Sequence, residues 1–122
     1  AIVAVGAMVP LCERIADKLD ATLINLRFIK PLDEDLIARI ASSHRALVTV
    51  EENVIAGGAG SAINELLAAA GQIFPTLNLG IPDRFIEHGS REDCLASAGL
   101  DAASIETAIT RWWRVPVRAA AS

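Results

Sequence analysis

Three stretches of this sequence carry groups suited to chemistry. Glu51 and Glu52 stand together at the end of the apolar run Ala46–Val50, with Asn53 next. Paired carboxylates can serve as acid and base, or give a metal hard oxygen ligands. On an extended chain, adjacent side chains leave on opposite faces, so this pair diverges. One of the two is then expected to cap nearby N–H groups or to meet an arginine across an interface. Gly57-Gly58-Ala59-Gly60-Ser61 follows a strand and opens a helix. Unpaired backbone N–H groups and the helix dipole make such a turn an anion site. It lacks the G-x-G-x-x-G spacing of dinucleotide folds and the lysine of a phosphate loop. The competing reading is a tight connection whose glycines allow close packing or a positive φ. Asp83-Arg84-Phe85-Ile86-Glu87-His88-Gly89 is dense in polar groups. A histidine beside a glutamate can be tuned as a base. No local motif marks a Ser or Cys nucleophile near His88, so a structural or interface role is preferred.

Other polar residues read more simply. Cys12 and Cys94 are lone thiols without C-x-x-C or histidine at ligand spacing. Neither a zinc site nor a disulfide framework is supported, and a reducing compartment is expected. Cys94 is expected to face the core from a helix. His44 reads as a helix C-terminal residue favoured by the dipole. Trp112 and Trp113 are expected to clamp the last helix to the body. Arg27 and Lys30 flank Phe28 ahead of Pro31, as a solvated or interdomain ion pair.

The elements that hold these residues alternate in type. Ile2–Val5 is a short β-branched run ending at Gly6. Leu11, Ile15 and Leu19 recur four apart between charged residues, one stripe of an amphipathic helix over Pro10–Leu19. A second strand is expected over Thr22–Phe28 until Pro31, which lacks a ladder N–H. Asp33 suits an N-cap, and Glu34 and Asp35 suit the positive end of a helix dipole. Ala46–Val50 and Phe74–Leu79 read as further strands, with a helix bearing Ile63, Leu66 and Leu67 between them. Helices are expected over Ser90–Ala98 and Ala102–Trp113. Strands alternating with helices of about ten residues predict a three-layer α/β/α domain.

Composition narrows the function. The chain has 122 residues, 52% of them hydrophobic, and a formal charge of -4. One domain with a filled core is expected, and disorder is excluded. The acidic balance argues against nucleic acid or an anionic membrane as partner. No apolar run approaches the length needed to span a bilayer.

Read in order, the motifs resemble one family. R-F-I-K-P-L-D (Arg27–Asp33), V-T-V-E-E-N (Val48–Asn53), G-G-A-G-S (Gly57–Ser61) and L-G-I-P-D-R-F-I-E-H-G (Leu79–Gly89) precede G-L-D-A-A-S-I (Gly99–Ile105). The ordered set is similar to the C-terminal domain of the 1-deoxy-D-xylulose-5-phosphate synthases, thiamine-diphosphate enzymes of the transketolase superfamily. The likeness runs from about Ile2 to Trp113.

The resemblance implies a mixed, mostly parallel sheet of about five strands, one of them antiparallel. The fifth would lie near Glu87 or over Arg114–Arg118, where Pro116 limits it to an edge. The domain is expected over residues 1–118, with 119–122 a frayed tail.

The resemblance further implies a cytoplasmic, homodimeric parent that condenses pyruvate with D-glyceraldehyde 3-phosphate and releases CO2. Its product feeds isoprenoid, thiamine and pyridoxal synthesis. The family holds thiamine diphosphate and Mg²⁺ in its N-terminal domain, and its catalytic groups lie in the N-terminal and middle domains. Those segments are absent here, so the resemblance assigns this chain no catalytic, cofactor or metal residue. A start on a strand without methionine is what a piece of a longer protein would show. The expected role is packing on the remaining domains and support of the dimer. Candidate contacts are Glu51, Glu52, Asn53, Gly57, Gly58, Gly60 and Ser61, with Asp83, Arg84 and His88. The alternative is a standalone regulatory module that binds an anion or metabolite.

Overall fold

A computed structural model describes residues 1–114. Its elements are β1 (Ile2–Ala4), α1 (Met8–Leu19), β2 (Leu23–Asn25), α2 (Glu34–Ser43), β3 (Leu47–Val54), α3 (Ala59–Ala69), β4 (Thr76–Ile81), α4 (Arg91–Ser97) and α5 (Ala102–Arg114). The strands form one sheet in the order β2-β1-β3-β4, and all three pairings are parallel. A parallel sheet needs crossover connections, which α1, α2 and α3 supply.

Strand alternation divides the core. Ile2, Ala4, Val48 and Val50 face one side, where α1, α4 and α5 bring Met8, Cys12, Ile15, Leu95 and Ile105. Val3 and Leu47 face the other, against Ile37 and Ile40 of α2 and Ile63 and Leu67 of α3. Both faces of β1 are therefore buried, which is why it is an uninterrupted apolar run. The expected three layers are present.

Local chemistry sets the helix ends. The Leu36 N–H donates to Asp33 Oδ1 at 2.9 Å, so Asp33 caps α2 as its type suggested. The stripe of α1 begins earlier than expected, at Met8, and adds buried Met8 and Cys12. His44 is the C-cap of α2, and its ring lies 2.9 Å from both Ser43 Oγ and Thr22 Oγ1. That contact ties α2 to the start of β2. Trp112 packs against the first core cluster, while Trp113 lies half exposed beneath the Arg45 guanidinium at 5.3 Å.

Three expectations are corrected. The second strand is shorter than Thr22–Phe28. The Leu26 N–H still reaches Ala4 O at 2.9 Å, but β1 ends at Ala4, so later residues have no ladder partner. The sheet has four strands among the described residues, all parallel, rather than five with one reversed. The region of Glu87 is loop, folded back on itself by Arg84 N–H bonding to Pro82 O and by Cys94. The alternative fifth strand at Arg114–Arg118 ends outside the described residues, since Arg114 closes α5 and 115–122 lie beyond; so does the expected frayed tail. Cys94 is also only half-buried, its Sγ 3.7 Å from the Glu87 and Gly89 carbonyls. It braces the loop more than it fills the core.

Candidate functional site

The strand order reverses direction between β1 and β3, and open α/β sheets place ligands or partners at the carboxyl ends beside such a point. Both marked motifs lie at this edge. Leu47, Thr49 and Glu51 share one face of β3, and Val48, Val50 and Glu52 the other. The two glutamates are thereby sent to different helices.

Glu51 turns toward α3 and is buried, 2% exposed. Its Oε2 accepts the Ala59 N–H at 2.8 Å and its Oε1 accepts the Gly60 N–H at 3.0 Å. A carboxylate on the first N–H groups of a helix satisfies orphan donors and complements the dipole. A Cβ on Gly58 would fall on that carboxyl group, 2.6 Å from Oε1. A Cβ on Gly60 would come 2.6 Å from Thr49 Oγ1, which donates to Asn78 Oδ1 at 2.8 Å. Gly57 holds φ +78°, a conformation that favours glycine. Its N–H donates to Ser61 Oγ at 3.1 Å, and that hydroxyl donates to Ile55 O at 2.8 Å. Glu51, Gly57, Gly58, Gly60 and Ser61 thus form one closed cradle, and the anion at this helix start is the chain's own.

Glu52 turns the other way and stays exposed. Arg91, the first residue of α4, donates to it twice, Nε to Oε1 at 3.2 Å and Nη2 to Oε2 at 2.6 Å. That hydrogen bonding, reinforced by the opposite charge, raises the guanidinium above its ordinary value. The arginine expected to meet one glutamate therefore comes from the same chain. Asn53 is exposed, and its carbonyl lies against Gly80, where a Cβ would approach it to 2.7 Å. Asp83, Arg84 and His88 lie exposed in the loop after β4, with the Arg84 guanidinium donating to Ser97 O. His88 is not brought to Glu51 by any hydrogen bond.

The structure adds residues that motif reading missed. Phe28 and Phe85 are 71% and 88% exposed, and Ile29 and Val54 lie open beside the same edge. The signal was present: an aromatic set between charges in a turn has no core to enter. Arg91 was missed because nothing in its own neighbourhood points to a strand 39 residues away.

The described residues of this chain do not fit a magnesium–diphosphate group. Such a site needs convergent oxygen ligands, and no group of three His, Cys, Asp or Glu side chains is placed to hold a metal among the described residues. The glycine turn that would receive a phosphate has its N–H groups committed within the chain, Ala59 and Gly60 to Glu51, Gly57 to Ser61 Oγ and Gly58 to Ile55 O. An apolar cavity of about 440 Å³ at the opposite, amino edge is lined by Leu19, Thr22, His44, Ile109 and Trp112, and by none of the candidate residues. No helix among the described residues is long and apolar enough to cross a membrane.

A parallel α/β/α domain of this kind has a counterpart among known families. The chain belongs to the transketolase C-terminal domain family, whose model matches residues 1–105. Its curated relatives include the 1-deoxy-D-xylulose-5-phosphate synthase of Thioalkalivibrio sulfidiphilus, 55% identical over 109 residues, or 89% of this chain and 17% of that protein. The synthase of Escherichia coli is 53% identical over 112 residues, 92% of this chain and 18% of that protein. A split-gene transketolase described as an inactive β4 tetramer matches in structure with a TM-score of 0.81 and 30% identity, covering 90% of this chain and 37% of that one. The resemblance expected from the ordered motifs is met. The chain spans less than a fifth of the length of these curated relatives.

Proposed function

We propose that this chain acts as the non-catalytic C-terminal domain of a 1-deoxy-D-xylulose-5-phosphate synthase. The parent is a cytoplasmic thiamine-diphosphate transferase that condenses pyruvate with D-glyceraldehyde 3-phosphate for isoprenoid, thiamine and pyridoxal synthesis. This domain packs on the other domains and supports a homodimer. The observation that carries the reading is the closed cradle: Glu51 fills the helix start that would otherwise take a ligand anion. The same fact weakens the standalone anion-binding alternative, since an external phosphate would have to displace a buried, doubly bonded carboxylate. The exposed apolar residues at the carboxyl edge suit a docking face.

An antibody raised against this chain tests the reading on the native protein. Immunopurified material should run several times heavier than 12.9 kDa and release CO2 from pyruvate only when D-glyceraldehyde 3-phosphate and thiamine diphosphate are supplied. An inactive band at 12.9 kDa overturns it.

A further inference from the structure

The cavity of about 440 Å³ lies at the amino edge, away from the glycine cradle, and its size is that of a small-molecule site. Among the described residues, Ile2, Leu19, Val48 and Ile109 give it an apolar floor, and Trp112 adds an aromatic wall. Charge around it is close to balanced. Arg45 and Arg114 stand at its rim with Asp20 and the C-terminal ends of α1, α2 and α5, which carry partial negative charge. The Arg45 guanidinium is stacked on the Trp113 ring at 5.3 Å, and the Ala1 amine donates to Ala46 O at 2.9 Å. An ion entering the cavity would lose its water without a net opposite charge to receive it, so the site favours an uncharged guest.

One polar group in the wall is fixed by its neighbours. Ser43 Oγ donates to Arg39 O at 2.6 Å, so it accepts from His44 Nδ1 at 2.9 Å. A neutral imidazole has one donor and one acceptor nitrogen, so His44 Nε2 accepts the Thr22 hydroxyl at 2.9 Å. Thr22 Oγ1, with its proton already given, is left as an acceptor at the cavity wall. We infer that the cavity binds an uncharged aromatic molecule of one or two rings that bears a single hydroxyl or N–H. Its ring lies against Trp112 and its donor on Thr22 Oγ1. The site stands at the opposite end of the sheet from the exposed carboxyl edge, and it does not depend on the role of this domain in a larger enzyme.

Indole, with two rings and one N–H, is the probe, and 1-methylindole is its counterpart without the donor. Titration of the ¹⁵N-labelled chain with indole, followed by nuclear magnetic resonance, should shift the Trp112 and Thr22 signals saturably and leave those of Phe28 and Phe85 in place. 1-Methylindole should bind about fivefold to tenfold more weakly, the worth of one hydrogen bond. In Thr22→Val that difference should vanish. Indole-3-carboxylate, which brings a charge, should bind about tenfold more weakly than indole or worse. Ala21→Phe sets a ring into the cavity wall and should abolish binding, with far-UV circular dichroism showing that the variant is folded. The absence of a saturable shift at Trp112 overturns the site, as does a folded Ala21→Phe chain that binds indole unchanged. Tighter binding of the carboxylate overturns the uncharged class. Equal binding of indole and 1-methylindole by the unaltered chain overturns the role of Thr22, and that comparison needs no variant to fold.

Discussion

Glu51 is a residue whose role follows from its two hydrogen bonds. Replacing it with Gln turns one acceptor into a donor aimed at a backbone N–H and should cost about 2 kcal/mol. Urea denaturation followed by circular dichroism reads that loss; a midpoint unchanged from the native chain would contradict the cradle. Gly58→Ala should destabilise by about 1–3 kcal/mol, because the added methyl meets the held carboxyl group. In a Glu51→Ala background the same substitution should cost less, since its clash partner is gone. Cys12 supplies a second test. Burial pushes its thiol up to about 11, so the folded chain holds it neutral. Iodoacetamide should therefore modify Cys94 first and reach Cys12 only on unfolding. A folded pKa above the unfolded one contributes stability that is present below the unfolded value of about 9 and lost as pH rises toward 11. The sequence showed that the glutamates diverge, since strand alternation demands it. It did not show which face α3 covers, because that is set by the crossover of the whole chain.

At the scale of elements, α5 and α4 invite different experiments. Asp101 accepts both the Ser104 N–H at 3.0 Å and the Ser104 hydroxyl at 2.6 Å at the start of α5. The Ser104 hydroxyl, followed by its N–H, holds that carboxyl below the usual carboxylate range. A depressed folded pKa contributes stability that is present above the unfolded value and lost as pH falls through the folded one. Asp101→Ala should therefore lower stability at neutral pH and flatten its decline in acid, read by thermal melts across pH. An acid limb identical to that of the unaltered chain would remove Asp101 from that role. Arg91 joins α4 to β3 through a surface pair, which contributes little to global stability. Arg91→Ala should leave the melting temperature almost unchanged while making the loop between Pro82 and Ser90 more open to limited proteolysis. Equal cleavage rates in both proteins would show that the pair does not restrain the loop.

Most elements were legible from apolar spacing and caps, as with α1 and α2. The span of β2 was not, because it depends on where its neighbour β1 ends. The strand expected near Glu87 failed for a related reason: the Arg84 N–H and guanidinium donate to Pro82 O and Ser97 O, and the Glu87 and Gly89 carbonyls accept from the Cys94 thiol.

The molecule as a whole presents a sheet covered on both faces, with Phe28, Ile29, Val54 and Phe85 exposed at its carboxyl edge and Ile73 and Trp113 exposed toward the amino edge. Motif order made the family legible in the sequence, although no single motif carries chemistry. The exposed apolar edge was only partly legible, since the exposure of Phe28 and Phe85 is a tertiary fact. The most direct measurement is a domain exchange. The matching segment of the Escherichia coli synthase, 53% identical to this chain, is replaced by residues 1–114, and product formation from pyruvate and D-glyceraldehyde 3-phosphate is followed beside this chain alone. The exchanged enzyme should be dimeric with turnover near that of the parent, and the lone chain should form no product. A folded, dimeric exchange with collapsed turnover, or product formed by the lone chain, would contradict a non-catalytic docking domain.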